Sequence, residues 1–71
     1  MPEKVIIFGK DTCPYTNAAR EDYAKKGYVI EYINVKASLE NMEKMLLYSG
    51  GKRNVPVIVD NGKVVIGFGS T

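Results

Sequence analysis

Apolar residues along the chain fall into short continuous runs and into longer stretches with helical spacing. Residues 5–8 form a continuous, mostly β-branched run that ends at Gly9, a pattern typical of a strand buried on both faces. Residues 29–33 form a second run, with β-branched and aromatic side chains. Both runs predict strands.

Two further stretches predict helices. Pro14 opens the first helix, because the missing N–H group of proline costs nothing at the first helical position, and Gly27 is placed to end it. Ser38 is an N-cap residue for the second helix, which Gly50 and Gly51 stop. The residues at helical spacing are Tyr15, Ala18, Ala19 and Tyr23 in the first helix, and Leu39, Met42, Met45 and Leu46 in the second.

The last third of the chain predicts a β-hairpin. Residues 57–59 and 64–66 are apolar and flank Asn61-Gly62, the strongest short hairpin signal. The predicted order is therefore strand, helix, strand, helix, strand, strand. The first two strands must be parallel because a helix connects them, and the last two antiparallel. We expect one α/β domain over residues 1–71, with two helices covering a mixed four-stranded sheet.

Composition and charge narrow the possible partners. The net charge is +2, and the ten basic residues are scattered among eight acidic ones, which does not favour nucleic-acid binding. No apolar run is long enough to span a bilayer, and the residues before the first strand are too few for a signal peptide. We expect a cytoplasmic protein without a nucleic-acid or membrane partner.

The core or half-buried packing residues are predicted to include Tyr23, Tyr28, Tyr32, Tyr48, Met42 and Met45.

Cysteine and histidine counts exclude several kinds of site. The chain has one cysteine and no histidine, so it cannot form an internal disulfide and does not belong among disulfide-stapled secreted scaffolds. It lacks the soft ligands for a structural zinc site of its own, and no metal is expected. It also lacks an imidazole that could activate a cysteine or serine nucleophile.

The single cysteine, Cys13, lies in a polar turn between the first strand and the helix that Pro14 opens. The start of a helix favours an anion, and Lys10 adds a positive charge, although Asp11 opposes it. Reactive groups in open α/β sheets also collect at the carboxyl ends of strands. These features predict a reactive thiol with a lowered pKa. The alternative is an inert, buried cysteine, because free cysteines often behave as small hydrophobic residues.

Several segments together resemble the glutaredoxin family. Residues 10–16 (KDTCPYT) are similar to its active-site segment, in which Lys-x-x-Cys-Pro-Tyr-Cys is usual, and residues 53–56 (RNVP) are similar to its Arg-Thr-Val-Pro segment. Residues 61–63 and 66–70 resemble its closing hairpin and its Gly-Gly-Cys-Asp turn. The resemblance covers nearly the whole chain in the right order. It implies a thioredoxin-like fold, β-α-β-α-β-β.

Three departures from the family pattern matter. Thr16 occupies the position of the second, resolving cysteine, and Gly69 replaces the cysteine of the closing turn. The chain ends at Thr71, so the helix that usually follows this turn is expected to be missing. Thr16 and the ending also resemble a small group of glutaredoxin-like proteins with selenocysteine or cysteine at position 13.

The resemblance implies a monomeric, glutathione-dependent thiol–disulfide oxidoreductase that reduces glutathione and protein mixed disulfides. With no second cysteine, Cys13 would act by a monothiol route. The resemblance further implies a cis Val55–Pro56 bond; from the residues alone, Pro56 is as well explained as the start of an edge strand. The implied glutathione-binding residues are Lys10, Tyr15, Arg53, Val55, Pro56, Gly69 and Ser70.

Two other functions remain open at this point. In the first, two chains carry a [2Fe–2S] cluster between two Cys13 thiolates and two glutathiones. Glutaredoxins with that role usually have Cys-Gly-Phe-Ser, whereas this chain has Cys-Pro-Tyr-Thr, so this function ranks second. In the other, Cys13 is a thiol donor to a specific reductase or peroxidase partner.

Overall fold

The computed structural model of the chain describes residues 3–67. Within this range the helices and strands follow the predicted order. They are β1 (Lys4–Gly9), α1 (Pro14–Lys25), β2 (Val29–Asn34), α2 (Leu39–Ser49), β3 (Val57–Asp60) and β4 (Lys63–Ile66). Neither helix is long and apolar enough to cross a membrane.

The strands form one mixed sheet in the order β2-β1-β3-β4. β1 is parallel to β2 and antiparallel to β3, and β3 is antiparallel to β4. The predicted α/β architecture, a mixed four-stranded sheet with two helices, is therefore confirmed. β1 is a central strand, which explains its continuous apolar sequence.

Local turn chemistry ends the elements where the sequence indicates. Asn61 and Gly62 both have positive φ, 51° and 82°, as the two central residues of a type I′ hairpin turn require. Gly27, with φ 87°, follows α1, and the N–H of Tyr28 donates to the carbonyl of Tyr23 at 3.1 Å, which is the Schellman arrangement. At the start of α2, the Ser38 hydroxyl accepts from the N–H of Asn41 at 3.1 Å.

Two apolar clusters lie on opposite faces of the sheet, because successive side chains of a strand point to opposite sides. The cluster under α2 contains Phe8, Val35, Met45, Val57 and Val59. The cluster under α1 contains Val5, Ile7, Ala19 and Ile58. β1 contributes to both clusters, so it lies at the centre of a helix–sheet–helix sandwich.

The helices bury narrower faces than their apolar residues predict. Leu39 was expected in the buried stripe of α2, but it is 83% exposed, whereas Met45 is fully buried. Leu39 is the first residue of α2, and the core lies under the middle of the helix. In α1 the buried residues are Thr16 and Ala19, while Tyr15 and Ala18 are exposed.

The tyrosines expected to pack do make ring contacts, although they are only partly buried. Tyr23 and Tyr28 meet edge to face with centroids 4.9 Å apart, and Tyr48 lies 5.6 Å from the ring of Phe8. Tyr48 is nevertheless 45% exposed. Tyr32 packs against the cluster under α1, but its hydroxyl has a further role that is described below.

Candidate active site at Cys13

The strand register brings several loops to one edge of the sheet. Gly9, the last residue of β1, pairs with Asn34, the last residue of β2. The preceding residue Phe8 pairs with Val57, the first residue of β3. The loop that leaves β1 and the loop that enters β3 therefore meet at the same edge, the carboxyl end of the parallel strands. This is where open α/β sheets place their reactive groups.

Cys13 is the N-cap residue of α1. Its φ and ψ angles are −90° and 116°, its N–H donates to the carbonyl of Lys10 at 3.1 Å, and its carbonyl accepts from the N–H of Asn17 at 3.1 Å. Pro14 follows as the first helical residue, and the first turn of α1 carries no acidic side chain. The sulfur is therefore held by a tight turn at the positive end of the helix dipole.

The thiol of Cys13 is shielded from solvent but is not part of either core cluster. The residue is 8% exposed, and the two apolar clusters of the described residues do not include it. Burial alone would raise the pKa of the thiol. The hydroxyl and N–H of Thr16, the N–H of Tyr15 and the charge of Lys10 outweigh burial, so that the pKa of Cys13 lies below its ordinary value.

These donors act on the anion more than on the neutral thiol. The thiol makes no side-chain capping hydrogen bond to α1, whereas the N–H groups at the helix start lower its pKa. A negative sulfur attracts the same N–H groups more strongly than a neutral one. The geometry is thus suited to a thiolate, as the position of Cys13 predicts.

Thr16 is the unexpected residue of the site. Its side chain is fully buried, and its Oγ1 has no hydrogen-bond partner among the described residues. A buried hydroxyl without a partner is unfavourable, but hydrogen bonding of this hydroxyl to the sulfur lowers the pKa of Cys13. We interpret Oγ1 as a donor that is kept for the thiolate.

Gly9 makes room for Thr16. A Cβ added at Gly9 would overlap the Cγ2 of Thr16 and would lie 2.6 Å from its Oγ1, closer than any stable contact. A side chain at position 9 would therefore push the first turn of α1 away from β1. The close approach of strand and helix at Gly9 fixes the distance between Thr16 and the sheet.

Five of the seven predicted glutathione-binding residues lie within the described part of the chain. Lys10 is half-buried in the loop before Cys13, and its charge lowers the pKa of the thiol. Tyr15 is 39% exposed in the first turn of α1. Gly69 and Ser70 lie outside the described residues.

The remaining predicted residues belong to the loop that enters β3. The Val55–Pro56 peptide bond is cis, as the resemblance implied, and Pro56 is buried while Val55 is half-buried. The carbonyl of Pro56 accepts from the N–H of Gly67 at 2.7 Å, which ties this loop to the end of β4. Arg53 is exposed in the same loop.

A comparison with protein families decides the identity of this arrangement. A sequence model described as Glutaredoxin matches residues 5–65, which includes the Cys13 turn, both helices and the cis-proline loop. The chain belongs to the glutaredoxin family.

Solved structures agree with this assignment. This glutaredoxin is similar to the glutaredoxin from Archaeoglobus fulgidus, with a TM-score of 0.80 and 29% identity over 94% of this chain and 77% of that one. It shares its fold with the holo form of glutaredoxin C1 from Populus tremula x tremuloides, with a TM-score of 0.74 and 20% identity over 93% of this chain and 61% of that one. No curated protein matches the sequence.

Family membership implies a thiol oxidoreductase with a thioredoxin-like fold and a redox-active cysteine. Cys13 is the only cysteine in the sequence, so it is the candidate for the redox-active cysteine. Within residues 3–67, no group of three or more acidic, cysteine or histidine side chains is arranged to hold a metal ion.

Sequence reasoning missed two features of this site. One is the role of Thr16, which in the sequence is visible only as the replacement for a second cysteine; its position three residues after an N-cap is the available signal. The other is a set of hydrogen bonds to Asp11. The carboxylate accepts from the Tyr32 hydroxyl at 2.7 Å and from the Asn34 amide at 3.4 Å, a contact between distant parts of the chain that no local pattern reveals.

Proposed function

We propose that this glutaredoxin reduces glutathione mixed disulfides of proteins and small molecules in the cytoplasm, by a monothiol mechanism through Cys13. The observation that carries the proposal is the position of the one cysteine in the chain at the N-cap of α1, where its surroundings lower the pKa of the thiol. A thiolate is the form that exchanges with disulfides. The fully buried Thr16 stands where a resolving cysteine would stand in a dithiol enzyme.

The proposed reaction has two exchange steps. In the first, the Cys13 thiolate attacks the glutathione sulfur of a mixed disulfide, a new S–S bond forms to Cys13, and the substrate leaves as a thiolate that takes up a proton. In the second, the thiolate of a free glutathione attacks the glutathione sulfur on Cys13. This step releases oxidised glutathione and restores the Cys13 thiolate, so that one free glutathione is oxidised for each substrate thiol released, while the other half of the oxidised glutathione comes from the mixed disulfide.

A lowered thiol pKa benefits the second step more than the first. Each unit by which the pKa falls raises the thiolate fraction by up to tenfold, but nucleophilicity falls by about threefold because the Brønsted slope is about 0.4–0.5. The net gain in attack is therefore at most about threefold per unit, and it turns into a loss once the pKa falls below the working pH. A thiol of low pKa is, however, a better leaving group when glutathione attacks the mixed disulfide, and the environment of Cys13 favours that step.

Glutathione carries two carboxylates, so its site needs cations and N–H donors. We propose that Lys10 and Arg53 bind its glycyl carboxylate, since a guanidinium matches a carboxylate with two parallel hydrogen bonds. Tyr15 would form a wall beside the sulfur, and the backbone of Val55, before the cis Pro56, would pair with the cysteinyl part. Gly69 and Ser70 are proposed for the γ-glutamyl end by family position.

A coupled assay with a glutathione mixed disulfide tests the proposal. We expect turnover by the native protein and none by Cys13→Ser, and mass spectrometry should show one glutathione on the native chain after treatment with oxidised glutathione. Equal rates for the two proteins would remove Cys13 from catalysis. A native protein that is folded but inactive would contradict the proposal and favour a cluster carrier or a partner-specific thiol donor.

Arg53 can be tested against a neighbouring charge. Arg53 and Lys52 are both exposed in the loop before β3, so either can be replaced by alanine without disturbing the core. We expect Arg53→Ala to raise the KM for glutathione by about tenfold, the effect of losing one charged hydrogen bond, and Lys52→Ala to leave it nearly unchanged. Equal effects of the two variants would mean that only net charge matters and that Arg53 has no specific contact.

A further inference from the structure

We propose that Tyr32 and Asn34 are positioning residues that hold the Asp11 carboxylate at the end of β2, and that this keeps the site at Cys13 open to anionic disulfides. The inference rests on the proposed function. It adds a selectivity for substrate charge, and it assigns that selectivity to residues on a strand that carries none of the reacting groups.

Asp11 accepts three hydrogen bonds from side chains, two through its carboxylate and one through its backbone carbonyl. Its Oδ1 accepts from the Tyr32 hydroxyl at 2.7 Å and its Oδ2 from the Asn34 amide at 3.4 Å. Its backbone carbonyl accepts from the side-chain amide of Asn17 on α1 at 3.0 Å. The loop before Cys13 is thus fastened on one side to β2 and on the other to α1.

The Tyr32 side chain is itself held in place. Its ring packs against the apolar cluster under α1, and the guanidinium of Arg20 lies over it, 4.0 Å from the centroid. Burial and the hydrogen bond to Asp11 raise the pKa of Tyr32 to about 12, so the hydroxyl remains a donor at every pH at which the enzyme would work. A rigid donor can direct a flexible, exposed carboxylate.

Asp11 is two residues before Cys13, so the orientation of its carboxylate decides how close a negative charge comes to the sulfur. A carboxylate that is free to rotate at this position can approach the sulfur, where it would disfavour the thiolate and repel a substrate that carries carboxylates. The other charges that act on the sulfur are that of Lys10, from the same loop, and that of Tyr32 when ionised. With Asp11 bound to β2, the positive charge of Lys10 dominates near the thiol.

The test compares two disulfides of opposite charge. Oxidised glutathione carries an excess of carboxylates, whereas cystamine carries two ammonium groups and no carboxylate. In each case the Cys13 thiolate attacks one sulfur and forms a new S–S bond with it, the S–S bond of the substrate breaks, and the other half of the substrate leaves as a thiolate that takes up a proton. The measured quantity is the rate of loss of the Cys13 thiol, and the selectivity is the ratio of the two rates.

We expect Tyr32→Phe to lower the preference for oxidised glutathione over cystamine by about three- to fivefold, the size of one charge–charge interaction near contact distance in water. The effect should shrink as salt is added. Asp11→Asn should change the ratio little in the native protein and should restore it in the Tyr32→Phe background. This non-additivity is what a positioning role requires.

Tyr28→Phe is the matched control. Its hydroxyl also donates to a carboxylate, that of Asp60 at 3.2 Å, but it lies just before β2, at the opposite end of the sheet from Cys13. Its loss should leave the ratio unchanged. Asn34→Ala, which keeps the Tyr32 ring, should shift the ratio in the same direction as Tyr32→Phe by a smaller amount, and it serves if Tyr32→Phe does not fold.

The outcomes separate the two proposals. The inference is wrong if Asp11→Asn changes the ratio equally with and without the Tyr32 hydroxyl, or if neither Tyr32→Phe nor Asn34→Ala shifts the ratio. In either case the hydrogen bonds from β2 to Asp11 do not affect substrate selectivity, while the proposed function stands. If the native protein loses no Cys13 thiol with either disulfide, the proposed function fails and the inference falls with it.

Discussion

Thr16 shows how stability and reactivity conflict at a single residue. Its side chain is completely buried, and its hydroxyl has no hydrogen-bond partner among the described residues, which costs about 1–3 kcal/mol of stability for a typical hydroxyl. The same hydroxyl lowers the pKa of Cys13. A valine would fill nearly the same volume without a polar atom, so the presence of threonine is explained by the sulfur and not by packing.

Replacing Thr16 by valine should therefore separate the two effects. We predict that Thr16→Val raises the pKa of Cys13 and, at a pH low enough to keep the thiol protonated, makes the protein more stable by about 1 kcal/mol, because the unpaired hydroxyl is removed. Thr16→Ser keeps the hydroxyl and should retain the lowered pKa. Alkylation rates against pH and urea unfolding measure the two quantities. An unchanged pKa in Thr16→Val would show that the backbone N–H groups suffice.

Tyr32 should make the stability of the fold sensitive to alkaline pH. Burial and the hydrogen bond to Asp11 raise its pKa from 10.0 to about 12. The folded state therefore holds this proton more tightly than the unfolded state, and the resulting stabilisation is present below pH 10 and lost as pH rises towards 12.

We predict that the urea midpoint of the native protein falls over this range and that it falls less in Tyr32→Phe. Tyr28 also has a raised pKa, first because of burial and then because of Asp60, so some loss should remain in the Tyr32 variant. Identical pH dependence of the two proteins would contradict the assignment.

The sequence was sufficient to predict the local part of the site but not the part made by distant contacts. The sequence Cys13-Pro14 predicts a cysteine at the start of a helix, and Lys10 lies three residues before it. The burial of Thr16 depends on the missing side chain of Gly9, and the bond between Asp11 and Tyr32 depends on the register of two strands. Such contacts between distant residues have no periodicity from which to predict them.

At the scale of elements, α2 shows the same limit. The spacing of its apolar residues correctly predicts a helix, but the residues buried in it are Met45 and Ser49, whereas Leu39 and Leu47 are 83% and 85% exposed. Apolar composition defines a broad stripe, and only the docking angle on the sheet decides which part of it is covered. The strand ends also differ from the prediction. Lys4 and Asn34 are polar and lie outside the apolar runs, but their backbones take part in sheet pairing, so β1 and β2 are longer than the runs.

Met45 and Leu47 offer a matched pair on α2. Met45 is fully buried in the cluster with Phe8 and Val57, so we predict that Met45→Ala lowers the free energy of unfolding by about 2–5 kcal/mol. Leu47→Ala should change it by less than about 0.5 kcal/mol, as is usual for exposed positions. Urea unfolding measures both. Similar losses in the two variants would mean that α2 is docked differently on the sheet.

At the scale of the whole molecule, one strand connects both halves of the core. β1 supplies Phe8 to the cluster under α2, and Val5 and Ile7 to the cluster under α1. The loop with Cys13 follows this strand directly. In a domain of this size, the two clusters and the site should be lost together.

We predict a single cooperative unfolding transition. The urea midpoint measured by far-ultraviolet circular dichroism should coincide with the midpoint measured by rapid labelling of Cys13. Exposure of the thiol at a lower urea concentration than the loss of secondary structure would show that the active-site loop and α1 unfold separately, and that β1 does not couple them.

The central claim is that the start of α1 holds the Cys13 sulfur as an anion that can still react, and the pH dependence of its alkylation by iodoacetamide tests this most directly. The same chain unfolded in urea provides the reference, since the thiol there has an ordinary pKa of about 8.5. The account predicts that the inflection of the folded protein lies clearly below that of the unfolded chain, with ready reaction at neutral pH. An inflection equal to or above that of the unfolded chain, or no alkylation until the protein unfolds, would contradict it.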